Sequence, residues 1–271
     1  MKQVEKKVAL VTGASSGIGL ATAMGLVKAG YRVFGTSRTF RPMTPEPDFE
    51  ILQLDVTSDE SVAKTIDDVM RKAGRIDLVV NNAGRGVGGG AEESSIEQAI
   101  GLFDTNVFGM MRITRQVLPI FRKQQGGRII NISSVLGLIP APYSALYAST
   151  KHAMEGYSES LDHEVRTSGI RVILVEPAYT RTRFAENMSA PDEPLPLYDA
   201  ARTAQQKAYV EIEAIADSPD VVAKAVVMAA TAIDPQVRYT AGKVAAKVSM
   251  LRRFVPSRMF DKSLRKELKL Q

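Results

Sequence analysis

The chain contains no cysteine, so it has no disulfide framework, no thiol nucleophile and no thiolate metal ligand. A core must hold the fold together instead, and 271 residues at 45% hydrophobic content can supply one. The lack of disulfides also fits a reducing compartment, and a cytoplasmic location is expected. Histidine is scarce: His152 and His163 are the two present, they form no cluster of metal-ligand spacing, and both read as structural or surface residues with no metal expected. Long apolar runs are missing too. None reaches the roughly 18 residues needed to span a bilayer, and the longest candidate, 221–233, is interrupted by Lys224. The charged start, Met1–Lys7, leads into an apolar run too short for a signal peptide and better read as a first strand. Internal repeats and low-complexity tracts are likewise absent.

What is present is alternation. Strand-like segments near 7–12, 31–36, 50–55, 76–81, 128–133, 170–175 and 237–240 are separated by helix-like ones near 17–29, 59–73, 95–123, 144–168 and 219–232. Right-handed crossovers would put the helices on both faces of one parallel sheet of about seven strands, an α/β doubly wound single domain. Ligands of such a sheet bind beyond the carboxyl ends of its strands. The expected division is a main body over 1–240, with a mobile lid at about 179–210, and a basic amphipathic tail of the same domain over 241–271.

Two motifs carry chemistry. Residues 7–13 read as a buried strand that runs into Thr12-Gly13-Ala14-Ser15-Ser16-Gly17-Ile18-Gly19 and then a helix. Glycines between strand and helix let the backbone approach a pyrophosphate, and the helix N-terminus offers free amide donors and a positive dipole end. Further on, Tyr147 stands four residues before Lys151 in a helical stretch, which places both side chains on one face. The ammonium there favours the phenolate and lowers a phenol pKa from its usual value of about 10. A tyrosine so tuned can exchange a proton with an alcohol oxygen near neutral pH. A serine at 133 or 134 could hold that oxygen, and strand alternation lets only one of the two face the site. Such machinery interconverts carbonyl and alcohol once a hydride is supplied.

Over residues 6–185 the chain resembles the short-chain dehydrogenase/reductase family. The resemblance implies a Rossmann fold, a nicotinamide dinucleotide, and hydride transfer to or from a carbonyl or secondary alcohol. It assigns Ser134 to orient the substrate oxygen, Tyr147 to give the proton, and Lys151 to tune Tyr147 and hold the nicotinamide ribose. Asn106 anchors a proton-relay water in this scheme. Gly13, Ser15, Ser16, Gly17, Ile18 and Gly19 form the phosphate loop, and Asp55-Val56 resembles the adenine-contacting pair. Asn81-Asn82-Ala83-Gly84 resembles the fourth-strand motif, implying cofactor contacts at Asn81, Ala83 and Gly84. Glu176-Pro177 followed by Thr182 resembles the segment that holds the nicotinamide carboxamide, with Pro177 and Thr182 in contact. Ala178 departs from the glycine usual after that proline. A homodimer or homotetramer is implied, with helices 95–123 and 144–168 as the interface.

Cofactor choice is read at the end of the second strand. An NAD-selecting fold presents an acid there, whereas this chain has Gly35-Thr36-Ser37-Arg38, and Arg38 suits a 2′-phosphate, so NADP(H) is expected. Arg41 is a second cation within reach. Met188, Leu195, Leu197 and Tyr198 in the lid, with Leu136, Leu138, Ile139 and Tyr143, suggest an apolar pocket for a lipophilic carbonyl or alcohol, steroid-, retinoid- or xenobiotic-like. The resemblance to the hydroxysteroid and retinol dehydrogenase branch points the same way. Glu92-Glu93 reads as solvated loop charge. From Arg238 onward the chain carries ten Lys/Arg against two Asp/Glu, against 25 and 28 in the remainder. Val244, Val248, Leu251 and Val255, then Phe260, Leu264 and Leu268 beyond Pro256, recur there at helical spacing. Packing on the body or a partner subunit is favoured over contact with a membrane surface. Nucleic acid is not expected, because the segment lacks a reading module and stacking aromatics. The rival readings are an epimerase or dehydratase on the same fold, or a catalytically silent dinucleotide sensor.

Overall fold

The computed structural model describes residues 6–39, 47–184 and 188–267. Seven strands form one wholly parallel sheet: β1 Val8–Val11, β2 Arg32–Ser37, β3 Glu50–Gln53, β4 Leu78–Asn81, β5 Gly127–Ile132, β6 Ile170–Pro177 and β7 Arg238–Ala241. Their spatial order is β3-β2-β1-β4-β5-β6-β7. The order reverses between β1 and β4, where Ala9 pairs with Leu78 and Val11 with Val80. That reversal opens the crevice in which doubly wound sheets bind ligands.

The central strands are short and largely apolar because both faces of the sheet are covered. All four residues of β1 are buried, as are seven of the eight in β6. On one face α1 (Gly17–Lys28) and α7 (Pro219–Thr231) close a core with Ala9, Val11, Val80, Ile130 and Val175. On the other, α2 (Asp59–Ala73), α4 (Gly109–Lys123) and α5 (Ala145–Val165) pack over Leu10, Val79, Ile129 and Val172. At about 1.5–3 kcal/mol per buried Val, Leu or Ile side chain, these two layers dominate the favourable side of folding.

The strands fall within two residues of their expected places. The helices differ in two respects. The single helix expected over 95–123 is two helices, α3 (Ile96–Phe103) and α4, joined by a π turn at Asp104–Phe108 that shifts the register of everything after it. The last third of the expected lid falls in a helix, α6 (Asp199–Ile215), whose Ala, Gln, Lys and Glu content is strongly helix-forming. The basic tail forms the two helical stretches on either side of Pro256 that its periodicity suggests, α8 (Lys243–Phe254) and α9 (Ser257–Glu267), broken there as the missing proline N–H requires. Arg41 and Leu268 lie outside the described residues.

Candidate active site

The loop after β1 is built for close approach. Gly13 and Gly17 take φ of 65° and 55°, a left-handed region that side chains disfavour. Gly19 is tighter still: a Cβ there would overlap the Gly13 carbonyl and come within 2.5 Å of Asn82 Nδ2. Two residues outside the expected contacts, Thr12 and Asn82, hold this loop to the β4 end. Thr12 Oγ1 accepts from the amides of Asn82 and Ala83, each at 2.9 Å, and Asn82 Nδ2 donates to the Thr12 carbonyl at 2.9 Å. The repeated Asn of the β4 motif hid that division of labour. Asn81 turns the other way: it is buried, and its Nδ2 donates to Asn131 Oδ1, whose own amide donates to Ser158 Oγ, both at 2.8 Å. Its amide nitrogen thus serves the sheet, while its Oδ1 is buried with no hydrogen-bond partner among the described residues.

Ser15, Ser16 and Ile18 sit around the start of α1, with Ser16 at its N-cap in extended conformation and no side-chain cap bond. Thr182, reached from the end of β6 beyond Pro177, lies across the same loop, since a Cβ on Gly17 would touch Thr182 Cβ and Cγ2 at 3.2 Å. Arg38 is exposed at the end of β2 and helps to hold the Asp55 carboxyl below its usual range, though hydrogen bonds from Thr57 contribute more. Val56 is buried beside them, and Gly84 backs onto Asn106.

The proton-transfer group converges at the ends of β5 and α5. Ser134 caps the turn at Val135–Gly137: its Oγ accepts the Leu136 N–H at 3.1 Å, which leaves the hydroxyl proton free to donate. Tyr147 lies near the start of α5 under the ring of Phe184, with centroids 5.5 Å apart. Lys151, one turn on, is buried; its Nζ donates to the Ile132 carbonyl at 2.8 Å and lies 5.6 Å from the Tyr147 ring centre. Burial brings its pKa down to about 8, against the pull of the Glu155 carboxylate. Asn106 sits in the π turn with its amide committed: Oδ1 accepts from Arg85 N at 2.9 Å, and Nδ2 donates to the Arg85 carbonyl at 2.9 Å and Thr150 Oγ1 at 3.1 Å. Ser133 faces away from this group, buried and with no hydrogen-bond partner among the described residues.

Behind Lys151 lies an acidic cluster that the sequence reading did not single out. Arg238, at the start of β7, donates from Nη2 to Glu155 Oε2 at 2.7 Å and also pairs with Glu159. Its Nε is 2.9 Å from Glu176 Oε1, but the N–H points to Glu155, so neither oxygen of the fully buried Glu176 receives a hydrogen bond from the described residues. Burial, and then the Glu155 charge, raise the Glu176 pKa to about 7.

The segment from Met188 onward is clasped to the loop after β4. Ser189 exchanges backbone bonds with Gly86 and Gly88 at 2.9 and 3.1 Å. The glycine run at 86–90 makes this possible: Cβ atoms there would strike Met188, Pro191 and Tyr198. Glu93, expected as solvated charge, is in fact fully buried and is the hub of the clasp. Its carboxylate accepts from Gly90 N at 2.6 Å and Leu195 N at 2.8 Å and pairs with Arg202 of α6. Burial opposes its ionisation, yet these donors outweigh burial and hold its pKa below the ordinary range. Tyr143 takes φ of 58°, rare for a bulky residue, held by its carbonyl to Gly89 N at 3.0 Å and an edge contact with Tyr198. Met188 lies against Gly86 and Gly88, and Tyr198 against Gly90 and Tyr143, whereas Leu197 is 69% exposed.

Residues 7–193 match the family model described as short chain dehydrogenase. A 3-ketodihydrosphingosine reductase of Bacteroides thetaiotaomicron is 40% identical over 184 residues, 68% of each chain. A short-chain dehydrogenase structure from Streptomyces avermitilis superposes with a TM-score of 0.82 at 34% identity, covering 98% of this chain and 96% of that one. Solved relatives hold either dinucleotide. ElxO carries NADP (28% identity, TM-score 0.73, covering 87% of this chain and 97% of that one). A Burkholderia phymatum protein carries NAD (25% identity, TM-score 0.79, covering 93% and 95%). Among the described residues no helix is long and apolar enough to cross a membrane.

Proposed function

The chain belongs to the short-chain dehydrogenase/reductase family, and we propose that it is an NADPH-dependent reductase of lipophilic ketones or aldehydes, able to run in reverse on secondary alcohols. The observation that carries this reading is the convergence of Ser134, Tyr147 and Lys151 at the strand ends beside the glycine loop.

The cradle fits a dinucleotide. A backbone approach that excludes even a Cβ at Gly19, a helix N-terminus without a side-chain cap, and Thr182 closing over Gly17 together suit a pyrophosphate. Gly13, Ser15, Ser16, Gly17, Ile18 and Gly19 would hold it, with Asp55, Val56, Ala83, Gly84 and the Asn81 backbone towards the adenosine end. Pro177, Thr182 and Lys151 would hold the nicotinamide end. Arg38 would form a fork with a 2′-phosphate, and this residue favours NADP(H) over NAD(H). When bound, the reduced dinucleotide supplies the hydride.

This chain's own part is proton transfer and position. Ser134 donates a hydrogen bond from its free hydroxyl to the substrate oxygen and fixes its place. Tyr147 gives that oxygen a proton, and the ammonium of Lys151 stabilises the phenolate left behind. With the Asn106 amide committed elsewhere, its backbone carbonyl is the group we assign to the relay water that recharges Lys151. Phe184 and the clasp keep bulk water from the oxygen.

The wall of Met188, Tyr143 and Tyr198 supports an apolar substrate, as does the keto lipid in the name of the Bacteroides relative. Exposed Ile96, Ile100 and Phe108 on α3 and the π turn support self-association there, as a dimer or tetramer. The test is absorbance at the reduced-nicotinamide band, with NADPH and NADH in parallel, over a panel of long-chain ketones and aldehydes. Consumption with NADPH is expected; NADPH binding without turnover across the panel would favour the sensor reading.

A further inference from the structure

We propose that the outer face of the α8–α9 hairpin is a docking surface for anionic lipid membranes. The body-facing side of the hairpin is fixed by its contacts. Ala245 is fully buried, and Arg252 Nε donates to the Leu138 carbonyl at 3.2 Å while its guanidinium lies 5.6 Å from the Phe260 ring. Val248, Leu251, Val255, Phe260 and Leu264, most of the apolar stripe seen in the sequence, are half-buried on that side. Packing of the stripe therefore leaves the opposite face free.

That face has an unusual composition. On α8, Lys243, Lys247, Met250 and Phe254 follow each other at intervals of four, three and four, one surface of a helix, and all are exposed. Phe254 is 74% exposed and Met250 56%. On α9, Arg258, Lys262 and Lys266 repeat every four residues beside Met259, which is 64% exposed. Among the described residues no ion pair neutralises Lys243, Lys247, Arg258 or Lys262. The segment's two acids, Asp261 and Glu267, are far outnumbered.

Isolated large apolar side chains set among unpaired cations suit one partner. At an anionic bilayer the cations meet lipid phosphates while Met and Phe enter the headgroup–acyl boundary. A second copy of this face would set like charges against each other. The Arg252–Leu138 bond ties the hairpin to the turn that follows Ser134, so docking would bring the substrate end of the site to the bilayer. Only this last consequence rests on the lipophilic-substrate reading; the docking does not.

The test is sedimentation of the full chain with unilamellar vesicles of mixed phosphatidylglycerol and phosphatidylcholine, against phosphatidylcholine alone. At roughly 0.1 M salt, where the screening length is about 10 Å, we expect partitioning to anionic vesicles at least about tenfold stronger, and most of it lost near 1 M salt. K262E with K266E should weaken it by about tenfold or more. M250S with F254S should weaken it severalfold and remove the binding left at high salt. Far-UV circular dichroism and the unfolding midpoint, read on every variant, confirm that the hairpin is intact. Equal partitioning to both vesicle types, or charge reversal without effect on a folded variant, would overturn the proposal. So would a dimer that these variants dissociate, by light scattering, in a chain that ignores vesicles; the face would then belong to a second copy.

Discussion

The cofactor side and the substrate side of this site are built from different materials. The cofactor side is backbone: Gly13, Gly17 and Gly19 are defined by what they lack, and Thr12 with Asn82 ties two strand ends together at fixed register. The substrate side is a clasp of side chains in which one buried carboxylate, Glu93, gathers two amides and an arginine from segments about a hundred residues apart in sequence. The first half demands particular residues at particular spacings. The second demands only that some acid meet some donors after folding. A site of this kind can therefore keep one reaction while its substrate wall changes, and a mutation in one half should leave the other half's measurable untouched.

The largest test of that separation is Tyr147→Phe. It removes the proton donor and nothing from the cradle, so kcat should fall by about 10²–10⁴, the range for a lost general acid, while the NADPH dissociation constant by fluorescence titration stays put. A loss of dinucleotide affinity of similar size would break the comparison at its strongest point.

Next in size is Arg38→Ala. Removal of a charge-assisted fork should weaken NADPH by about tenfold to a hundredfold, with NADH affinity almost unchanged. Equal weakening of both cofactors would remove Arg38 from the 2′-phosphate and leave it an ordinary solvated arginine.

Glu93→Ala addresses the other half. Gly90 N, Leu195 N and Arg202 lose their common acceptor, so amides at 188–195 should exchange hydrogen faster and KM for the carbonyl substrate should rise by about tenfold. NADPH binding should hold. A normal KM with faster exchange would show the clasp to be stabilising without shaping the pocket.

The smallest effect concerns the buried cluster behind Lys151. Folded Glu176, near 7, holds its proton more tightly than it would unfolded, near 4.5, so folding takes up a proton between those values. Stability from this group therefore falls as pH rises from about 4.5 through about 7, and the penalty is complete above that. Lys151 acts in a separate window: with its pKa lowered from 10.5 to about 8, it adds stability only as pH climbs between them. Glu176→Gln should flatten the acid-side slope by on the order of 1 kcal/mol between pH 5 and 8, less than a lone carboxyl would give because Glu155 shares the site. Urea unfolding at the two pH values measures it, and an unchanged slope would move the proton elsewhere in the cluster.

The same contrast explains what could be read beforehand. The strands were legible because strands covered on both faces carry continuous apolar runs, as Val8–Val11 and Val172–Val175 do. The glycine loop and the Tyr147–Lys151 pair were legible because their chemistry fixes a spacing. Asn81 was harder: next to Asn82 it looks the same, and only the register of β4 against β5 sends its amide to Asn131. Glu93 beside Glu92 was misread for the same reason, since its burial depends on Leu195 and Arg202, far along the chain. One signal did point to the clasp, the four glycines in residues 86–90, which leave room for Met188, Pro191 and Tyr198. Helix α6 was hidden by the prolines before it, although Asp199–Ile215 has the composition of a helix.

The central claim is that this chain places a carbonyl to take a hydride from a reduced dinucleotide and a proton from Tyr147. The most direct measurement uses NADPH deuterated at the nicotinamide C4, with a long-chain ketone as acceptor and mass spectrometry of the product. The account predicts an alcohol carrying deuterium on the carbinol carbon with the wild-type chain, formed at least about a hundredfold more slowly with Tyr147→Phe. An alcohol without the label, or label transferred at an unchanged rate by the variant, would contradict it.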